Sequence, residues 1–466
     1  MKILMDAGPW LPVPPPGYGG LENVVATLTA ELRARGHTVV LASVGDSTLP
    51  VDGLVSAFPT GRFEQLGGPY PQVVGTAHAH EQVVLSTIAE HALAGEPFDL
   101  VHSHVEVVGP ALLAGLGDAA PPTLATLHWD TGRNADFWAT FDGGGRVWFA
   151  GVSDTQVAQA PARLREQVAG VVPLSVPVDD VPPVPRTDRS DSVLVLARLC
   201  EPKGIDTALR ACRAAGVPLV LAGPVGGLPD RESLEAALDT PGHPARSHPD
   251  VAWFLEHVDP HLDGVSARWI GSVGGAEKDE LLRTSRAVLF PIRWEEPGGT
   301  AVCEALAAGT PVVAMARGCL PSLVDDGRTG FLATDEAGFT AALGRLDAID
   351  PETCAAEARR RFAPAVMADG YERVYAMTLA RARNRSGRRL AAPQRALRLA
   401  TLRGGRRPPS GPTRRSRRRP GGCAAPRRSR PAPRSAPRRP ARRRRPGRRR
   451  CARRPAARCG RRRRRW

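Results

Sequence analysis

Lysine is nearly absent from this 466-residue chain, which contains only Lys2, Lys203 and Lys278. Its eight cysteines form no Cys-x-x-Cys pair, which favours buried single thiols in a reducing compartment over a zinc or disulfide framework. No segment approaches ~18 uninterrupted apolar residues, the length that a membrane span requires. The apolar run in the opening MKILMDAG is too short for a signal peptide. These absences predict a cytoplasmic protein without a membrane span.

Acidic residues are missing from residues 381–466, which hold 36 of the 64 Lys and Arg residues, all of them Arg. Residues 1–380 therefore contain 28 basic and 47 acidic residues and carry a formal charge of about −19, although the whole chain carries +17. Residues 383–466 cannot bury a core, so we predict a disordered tail. One interpretation is a tether to a polyanion such as nucleic acid, or to a peripheral anionic membrane. The second interpretation is an extension without a function, and the monotony of residue types favours it.

Strand and helix patterns alternate along residues 1–380 and predict an α/β fold with parallel sheets whose faces are covered. Residues 173–185 carry five prolines and interrupt this alternation, which starts again at Ser192. We therefore predict two successive α/β domains joined by a linker.

The most informative stretch runs from Val288 to Leu332. Val288–Ile292 is a short apolar run with the length of a buried strand, and a glycine loop follows it and opens a helix at Ala301–Ala308. Ligands of open α/β sheets bind at such carboxyl ends of strands. The backbone N–H groups of Gly299, Thr300 and Ala301 would point at an anion there. The nearby carboxylates of Glu296 and Glu304 suggest that the ligand also carries hydroxyl groups, as a sugar diol does.

These motifs carry a family resemblance. Glu296 and Glu304 form E-x7-E, EALAAGTPVV follows, and DGRTGFL comes after it. In this order, and with WEEP before them, the motifs resemble one bacterial branch of the retaining family-4 glycosyltransferases. The resemblance covers residues 1–380. It implies the GT-B fold, in which two Rossmann-like domains face each other across a cleft.

The resemblance also implies the division of the chain. Residues 1–178 would form the acceptor-side domain and residues 179–362 the domain that binds the nucleotide-sugar. Residues 363–382 would form a helix that returns to the first domain. Residues 383–466 would be the tail.

The roles of several residues follow from the same resemblance. Arg198 and Lys203, in ARLCEPKG, match the cations that face the donor diphosphate. Glu304 would hold the ribose hydroxyls, while Glu296 and the amides of Gly298, Gly299 and Thr300 would position the donor sugar. The chain has Gly298–Gly299–Thr300 where relatives usually have Phe-Gly-Leu.

Two further sites lie in the first half. Gly19–Gly20 precede a predicted helix at Leu21–Arg35; they are typical either of a tight turn or of close approach to a phosphate. The resemblance favours the phosphate, and Glu22 matches an acid of the family. His128, at the end of the strand Thr123–His128, matches a histidine that faces the transferred sugar. We also considered an aromatic platform for an acceptor sugar, or alternatively a core, built from Trp10, Tyr18, Trp129, Phe137 and Trp138.

The predicted reaction is therefore transfer of a sugar from a nucleotide-sugar donor to an acceptor hydroxyl, with retention and by front-face attack. The acceptor would be a glycan, a lipid-linked molecule or a small molecule. The histidine pairs His78/His80 and His102/His104 have no acidic or cysteine cluster beside them, so we predict no metal and no cofactor. The alternatives are a nucleotide-sugar epimerase or a phosphorylase on the same fold, and a non-catalytic binder of nucleotide-sugars or nucleic acid.

Overall fold

The structure is a computed structural model, and it describes residues 1–17, 19–178 and 181–403. The strands within these ranges are β1 (Lys2–Asp6), β2 (Thr38–Ser43), β3 (Gly53–Ser56), β4 (Leu100–Ser103), β5 (Thr123–Leu127), β6 (Val147–Gly151), β7 (Val168–Val171), β8 (Val193–Leu196), β9 (Leu219–Ala222), β10 (Ala267–Trp269), β11 (Val288–Phe290), β12 (Val312–Met315) and β13 (Gly330–Ala333). The α-helices are α1 (Gly20–Ala34), α2 (Tyr70–Leu93), α3 (Val108–Gly115), α4 (Ala135–Thr140), α5 (Asp154–Gln159), α6 (Ala162–Arg165), α7 (Ile205–Ala215), α8 (Arg231–Asp239), α9 (Pro249–His257), α10 (Gly275–Thr284), α11 (Thr300–Ala307), α12 (Leu320–Leu323), α13 (Glu336–Leu343), α14 (Pro351–Phe362) and α15 (Pro364–Arg403).

The strands form two parallel sheets, as the alternating pattern predicted. The first has the order β3-β2-β1-β4-β5-β6-β7, and the second has the order β10-β9-β8-β11-β12-β13. Runs such as Val193–Leu196 and Leu219–Ala222 are apolar at every position because helices cover both faces of a parallel sheet. The α/β class and the two Rossmann-like units expected from the sequence are therefore confirmed.

Both sheets reverse their strand order at an equivalent place. The first sheet reverses between β1 and β4, and the second between β8 and β11. Crevices at the carboxyl ends of such strand pairs are where open α/β sheets bind ligands. The predicted site residues of the second half lie on the loops after β8 and β11 and at the start of α11.

The chain crosses between the two sheets twice. Its first crossing follows β7, and its second joins α14 to α15. The two crossings lie side by side, because the Val176 N–H donates a hydrogen bond to the Phe362 carbonyl oxygen over 3.1 Å. After the second crossing, Tyr371 and Tyr375 of α15 are fully buried in the core cluster of the first sheet. The last helix thus belongs to the first half by its packing.

Two helices are longer than predicted. Helix α2 begins at Tyr70, whereas the sequence predicts a helix only over Gln82–Leu93. Helix α15 continues to Arg403, past Ala382, through a segment rich in Ala, Leu and Arg, which are good helix formers. The rest of the predicted tail, residues 404–466, lies outside the described residues. In the described part of the chain, no helix is long and apolar enough to cross a membrane.

Candidate active site

Lys203 is placed by the loop that follows β8. It lies on a 3-10 turn formed by Glu201–Lys203, and Gly204 ends that turn with a φ of 68°. A Cβ on Gly204 would lie 1.9 Å from the carbonyl oxygen of Pro291, so only glycine allows the turn to pack against the end of β11. This close packing brings Lys203 to the point where the strand order reverses.

The side chain of Lys203 is held from two sides by the neighbouring loop. Its Nζ lies 2.9 Å from Oε2 of Glu296 and 4.8 Å from the centroid of the Trp294 ring. Arg198 lies on the same loop as Lys203 and is exposed, with no carboxylate within 4 Å among the described residues. The structure therefore brings two cations and one carboxylate to one end of the second sheet.

The glycine loop ends where α11 begins. Gly299 adopts a φ of 63°, and a Cβ there would lie 2.5 Å from Cδ1 of Leu323. Helix α11 starts at Thr300, one residue earlier than predicted. The first N–H groups of a helix have no partner within it and carry the positive end of its dipole. The start of α11 can therefore bind an anion beside Lys203.

Glu304 lies in the second turn of α11 and has a partner that the sequence did not reveal. Its Oε1 is 2.7 Å from Nζ of Lys278 in α10, and both side chains remain about one-fifth exposed. One carboxylate oxygen is thus held by a cation, and the other is available to accept a hydrogen bond from a hydroxyl group. Two of the three lysines of the chain pair with the two predicted donor-site glutamates.

The loop before α11 also contacts the first half of the chain. Ser153 Oγ, at the end of β6, donates a hydrogen bond to the Pro297 carbonyl oxygen over 2.7 Å, and both groups are buried. A Cβ on Gly298 would lie 2.5 Å from Leu174 Cδ1 and 3.3 Å from Val152 Cγ2. Glycine therefore fits at position 298, where the first half fills the space that a side chain would need.

Gly298→Phe should lower the free energy of unfolding by about 1–3 kcal/mol, the usual effect of overpacking. Leu174→Ala removes the clashing side chain, so the loss in the double variant should be smaller than the sum of the two single losses. Chemical unfolding curves measure both quantities. Gly75→Phe is the matched control, because a Cβ on Gly75 meets nothing within 4 Å. Additive losses at positions 298 and 174 would contradict this explanation.

The glycine pair of the first half lies at the start of α1. A Cβ on Gly19 would lie 2.7 Å from Cγ of Pro15, so this position excludes other residues. Gly20 is the first residue of α1, and a Cβ there would meet open space. In the preceding loop, the Cα of Gly17 lies 3.3 Å from the place where a Cβ on Gly274 would be. This loop therefore touches the second half of the chain just before α10.

Glu22 is a buried acid in the first turn of α1. Burial raises the pKa of its carboxyl group from 4.5 to about 7, and a backbone hydrogen bond opposes part of this shift. The folded protein therefore holds a proton that the unfolded chain releases between pH 4.5 and 7. Because the folded state binds more protons in this range, the contribution of Glu22 to stability falls as the pH rises through it.

Glu22→Gln should remove this pH dependence. At pH 8 the variant should be more stable than the parent by up to about 3 kcal/mol, at about 1.4 kcal/mol per pKa unit, and at pH 4 the difference should vanish. Urea unfolding at the two pH values tests this expectation. Glu90→Gln, at an exposed position of α2, is the control. An equal difference at both pH values would show that Glu22 does not titrate as described.

His128 immediately follows β5 and contacts two aromatic neighbours. Its Nε2 lies 2.7 Å from Nδ1 of His104, and the two ring planes are inclined by 30° with centroids 5.0 Å apart, as in an edge-to-edge hydrogen bond. The Trp129 ring meets His128 edge-on at 5.8 Å. Burial lowers the pKa of His128 to about 3, so the imidazole is neutral at physiological pH.

The predicted aromatic platform is only partly present. Trp138 is fully buried in the core, where it packs edge-on against Phe149, and Phe137 packs against the same core cluster. For Trp138 the structure supports the alternative interpretation as a core residue, and Phe137 is half-buried beside it. Trp129 lines a small cavity together with Glu106 and Thr131. Tyr18 lies outside the described residues.

The histidine pairs have partners other than a metal. His102 contacts Tyr375 Oη through Nδ1 at 2.7 Å and Thr126 Oγ1 through Nε2 at 2.8 Å. His80 Nε2 lies 2.7 Å from Asp6 Oδ1, and His78, which would share a face with His80 in an extended segment, lies on the helix α2. No group of three or more His, Cys, Asp or Glu in the described residues is arranged to hold a metal ion.

Sequence reasoning missed Lys278, Ser153 and His104 as site components. Lys278 and Glu304 lie on different helices, so no local spacing connects them. The rarity of lysine in the chain was the one available signal for Lys278.

The fold and the site together define a glycosyltransferase of the GT-B class. The family model "Glycosyltransferase Family 4" matches residues 18–160, and the model "Glycosyl transferases group 1" matches residues 181–346. A phosphatidyl-myo-inositol mannosyltransferase of Mycobacterium leprae is 27% identical over 376 residues, which span 77% of this chain and 92% of the relative. A glycogen synthase of Mycobacterium tuberculosis is 24% identical over 369 residues, 74% of this chain and 85% of the relative.

Solved structures show the same fold. A glycosyltransferase of avilamycin A biosynthesis superposes with a TM-score of 0.51 at 24% identity, covering 82% of this chain and 98% of its own. Sucrose-phosphate synthase from Thermosynechococcus elongatus superposes with a TM-score of 0.55 at 20% identity, covering 84% of this chain and 99% of its own. The chain belongs to glycosyltransferase family 4, and it transfers a sugar from a nucleotide-sugar donor.

Proposed function

We propose that this enzyme transfers a glycosyl group to an acceptor hydroxyl with retention of the anomeric configuration and without a metal ion. The observation that carries the proposal is the convergence of Arg198, Lys203 and the start of α11 at the strand reversal of the second sheet. Negative charge develops on the departing diphosphate in the transition state, and preorganised cations and helix amides stabilise it there. With these groups in place, a divalent cation is not needed for this task.

Each remaining group has a distinct role in the proposal. Glu304 holds the ribose, with Lys278 fixing one of its carboxylate oxygens. Glu296, oriented by Lys203, accepts hydrogen bonds from hydroxyl groups of the donor sugar. Gly19 and Gly20 let the donor phosphates approach the start of α1, and His128 faces the transferred sugar from the first half.

Retention is the outcome that the resemblance to the retaining branch implies, and no carboxylate of the site stands out as a covalent nucleophile. Glu296 is engaged by Lys203 and Glu304 by Lys278. We therefore propose front-face attack, in which the acceptor hydroxyl approaches from the side that the diphosphate leaves. The acceptor is a hydroxyl-bearing glycan, lipid-linked molecule or small molecule, in keeping with the range of acceptors in the names of the relatives.

The test begins with thermal unfolding of the full-length chain in the presence of UDP-glucose, ADP-glucose and GDP-mannose. A donor that binds the folded state raises the melting temperature by mass action. The selected donor, labelled in its sugar, is then incubated with and without candidate acceptors, and the anomeric configuration of the product is read by NMR. Conversion of the donor sugar without an acceptor would indicate an epimerase instead, and loss of activity with chelator would overturn metal independence.

A further inference from the structure

His104 lies directly beneath the predicted sugar-facing histidine and is almost completely buried. Its Nδ1 is 2.7 Å from Nε2 of His128, which makes this a hydrogen bond with one shared proton. The other nitrogen of His104, Nε2, is buried and has no hydrogen-bond partner among the described residues. The function assigned to the site so far makes no use of this residue.

Both rings are neutral at physiological pH. Burial lowers the pKa of His104 well below its usual value, and protonation of the adjacent His102 or His128 would lower it further. Burial has the same effect on the pKa of His128. A neutral imidazole carries one proton on one of its two nitrogens. Two arrangements of the pair are therefore possible, and they differ in which histidine donates.

In the first arrangement, His104 carries its proton on Nδ1 and donates to Nε2 of His128. The buried Nε2 of His104 is then a bare lone pair, and the proton of His128 resides on Nδ1. In the second, His128 donates from Nε2, and His104 must carry its proton on the buried Nε2 with nothing to accept it. Orphaned buried N–H groups are rarer in folded proteins than acceptors without a partner. The unpartnered Nε2 therefore favours the first arrangement.

The ring of His104 cannot easily turn to exchange the two nitrogens. On one side it packs against His102 with ring centroids 4.2 Å apart, and on the other its edge is hydrogen-bonded to the edge of the His128 ring, with centroids 5.0 Å apart. His102 is fixed in turn through its two hydrogen bonds, to Tyr375 of α15 and to Thr126 of β5. The His104 backbone N–H also donates to the Asp6 carbonyl oxygen over 2.8 Å. The orientation of His104 is thus set by the first sheet and by α15.

We propose that His104 is a positioning residue that fixes His128 as the Nδ1–H tautomer, so that His128 acts as a hydrogen-bond donor to an oxygen of the bound sugar. This inference rests on the proposed function in one respect, the sugar-facing role of His128. In this tautomer His128 donates a hydrogen bond to a sugar oxygen, whereas in the other tautomer it could only accept a hydrogen bond from a sugar hydroxyl group. His104 thereby determines that His128 donates this hydrogen bond, although His104 itself does not touch the substrate.

The first test needs no ligand. Side-chain ¹H–¹⁵N correlation spectra of the full-length protein labelled with ¹⁵N-histidine distinguish protonated from bare ring nitrogens, and His128→Asn identifies the signals of His128. The expected result is a protonated Nδ1 and a bare Nε2 on His128. Protonation of His128 on Nε2 would overturn the proposal whatever the enzyme transfers, so its failure is distinguishable from a failure of the proposed function.

The second test uses two amides that imitate one nitrogen each. The side-chain amide of Asn reaches the place of Nδ1, and that of Gln reaches the place of Nε2. His104→Asn keeps a donor toward His128 and should retain kcat within about threefold, whereas His104→Gln should lower kcat about tenfold, the usual effect of one lost hydrogen bond. Turnover is measured with the most active of UDP-glucose, ADP-glucose and GDP-mannose, and the spectra of both variants are recorded. Equal losses of kcat, or a His128 tautomer unchanged in His104→Gln, would overturn the role of His104.

Discussion

Lys203→Ala should lower kcat/KM for the donor by about 10²–10³-fold, the effect seen when one preorganised donor to a developing negative charge is removed. The loss should fall mainly on kcat, because charge on the leaving diphosphate is greatest in the transition state. Steady-state kinetics with a saturating acceptor separate the two parameters. Lys203 is held 2.9 Å from Glu296 and against the Trp294 ring, so its Nζ is positioned before the donor arrives.

The control for this variant is another lysine of the same chain. Lys2 lies at the start of β1, the opposite end from the cleft, and pairs with Glu96. Lys2→Ala should leave kcat/KM within about twofold of the parent, since exposed ion pairs contribute little. Lys203→Arg keeps the positive charge but replaces the compact ammonium group with a planar guanidinium group, so partial activity is expected. A Lys203→Ala enzyme with kcat/KM near that of the parent would disprove the assigned role.

Glu304→Ala should weaken binding of the nucleoside diphosphate by on the order of 100-fold, because hydrogen bonds to a charged group contribute about 1.5–3 kcal/mol each. The parent should also prefer a ribose donor over its 2′-deoxy or 3′-deoxy analogue, and this preference should disappear in the variant. Isothermal titration with the ribose and deoxyribose forms measures both effects. The thermal stability of the unliganded variant should remain close to that of the parent, since the Lys278–Glu304 pair is partly exposed.

Glu280→Ala is the matched control, because Glu280 is an exposed acid on α10 close to Lys278. It should leave the affinity and the ribose preference unchanged. If Glu304→Ala weakened the ribose and deoxyribose forms equally and retained the preference, the carboxylate would act elsewhere on the donor.

The central strands of the second half, β8, β9, β11 and β12, were predictable because they are almost completely buried. The apolar run Val312–Met315 predicts a buried strand, and β12 has the same bounds, since each position of a parallel central strand faces apolar neighbours. Strand β3 was missed because it lies at the edge of its sheet and alternates between exposed and partly buried residues. The first part of α2 was missed because its hydrophobic residues do not form a clear stripe.

Residues of the candidate site were predictable only where they belong to a local sequence motif. Arg198, Lys203, Glu296 and Glu304 follow strands or start a helix, so their positions could be deduced from neighbouring residues. The pairs Lys278–Glu304 and His104–His128 join residues 26 and 24 positions apart on separate elements. Such contacts depend on helix and strand packing, which no local pattern specifies. Whether the site residues have the assigned roles stays a prediction for the experiments above.

The hydrogen bond between Val176 and Phe362 has a mechanical consequence. Two chain segments that cross side by side should act as a hinge. They resist sliding of one half past the other, so the easiest relative motion is a rotation about the axis along the two segments. A small rotation about that line produces the largest displacement at the edge of the cleft farthest from the crossings. Loops near the crossings, such as Pro297–Gly298 against Ser153 and Leu174, should therefore keep their contacts while the far edge admits and releases molecules.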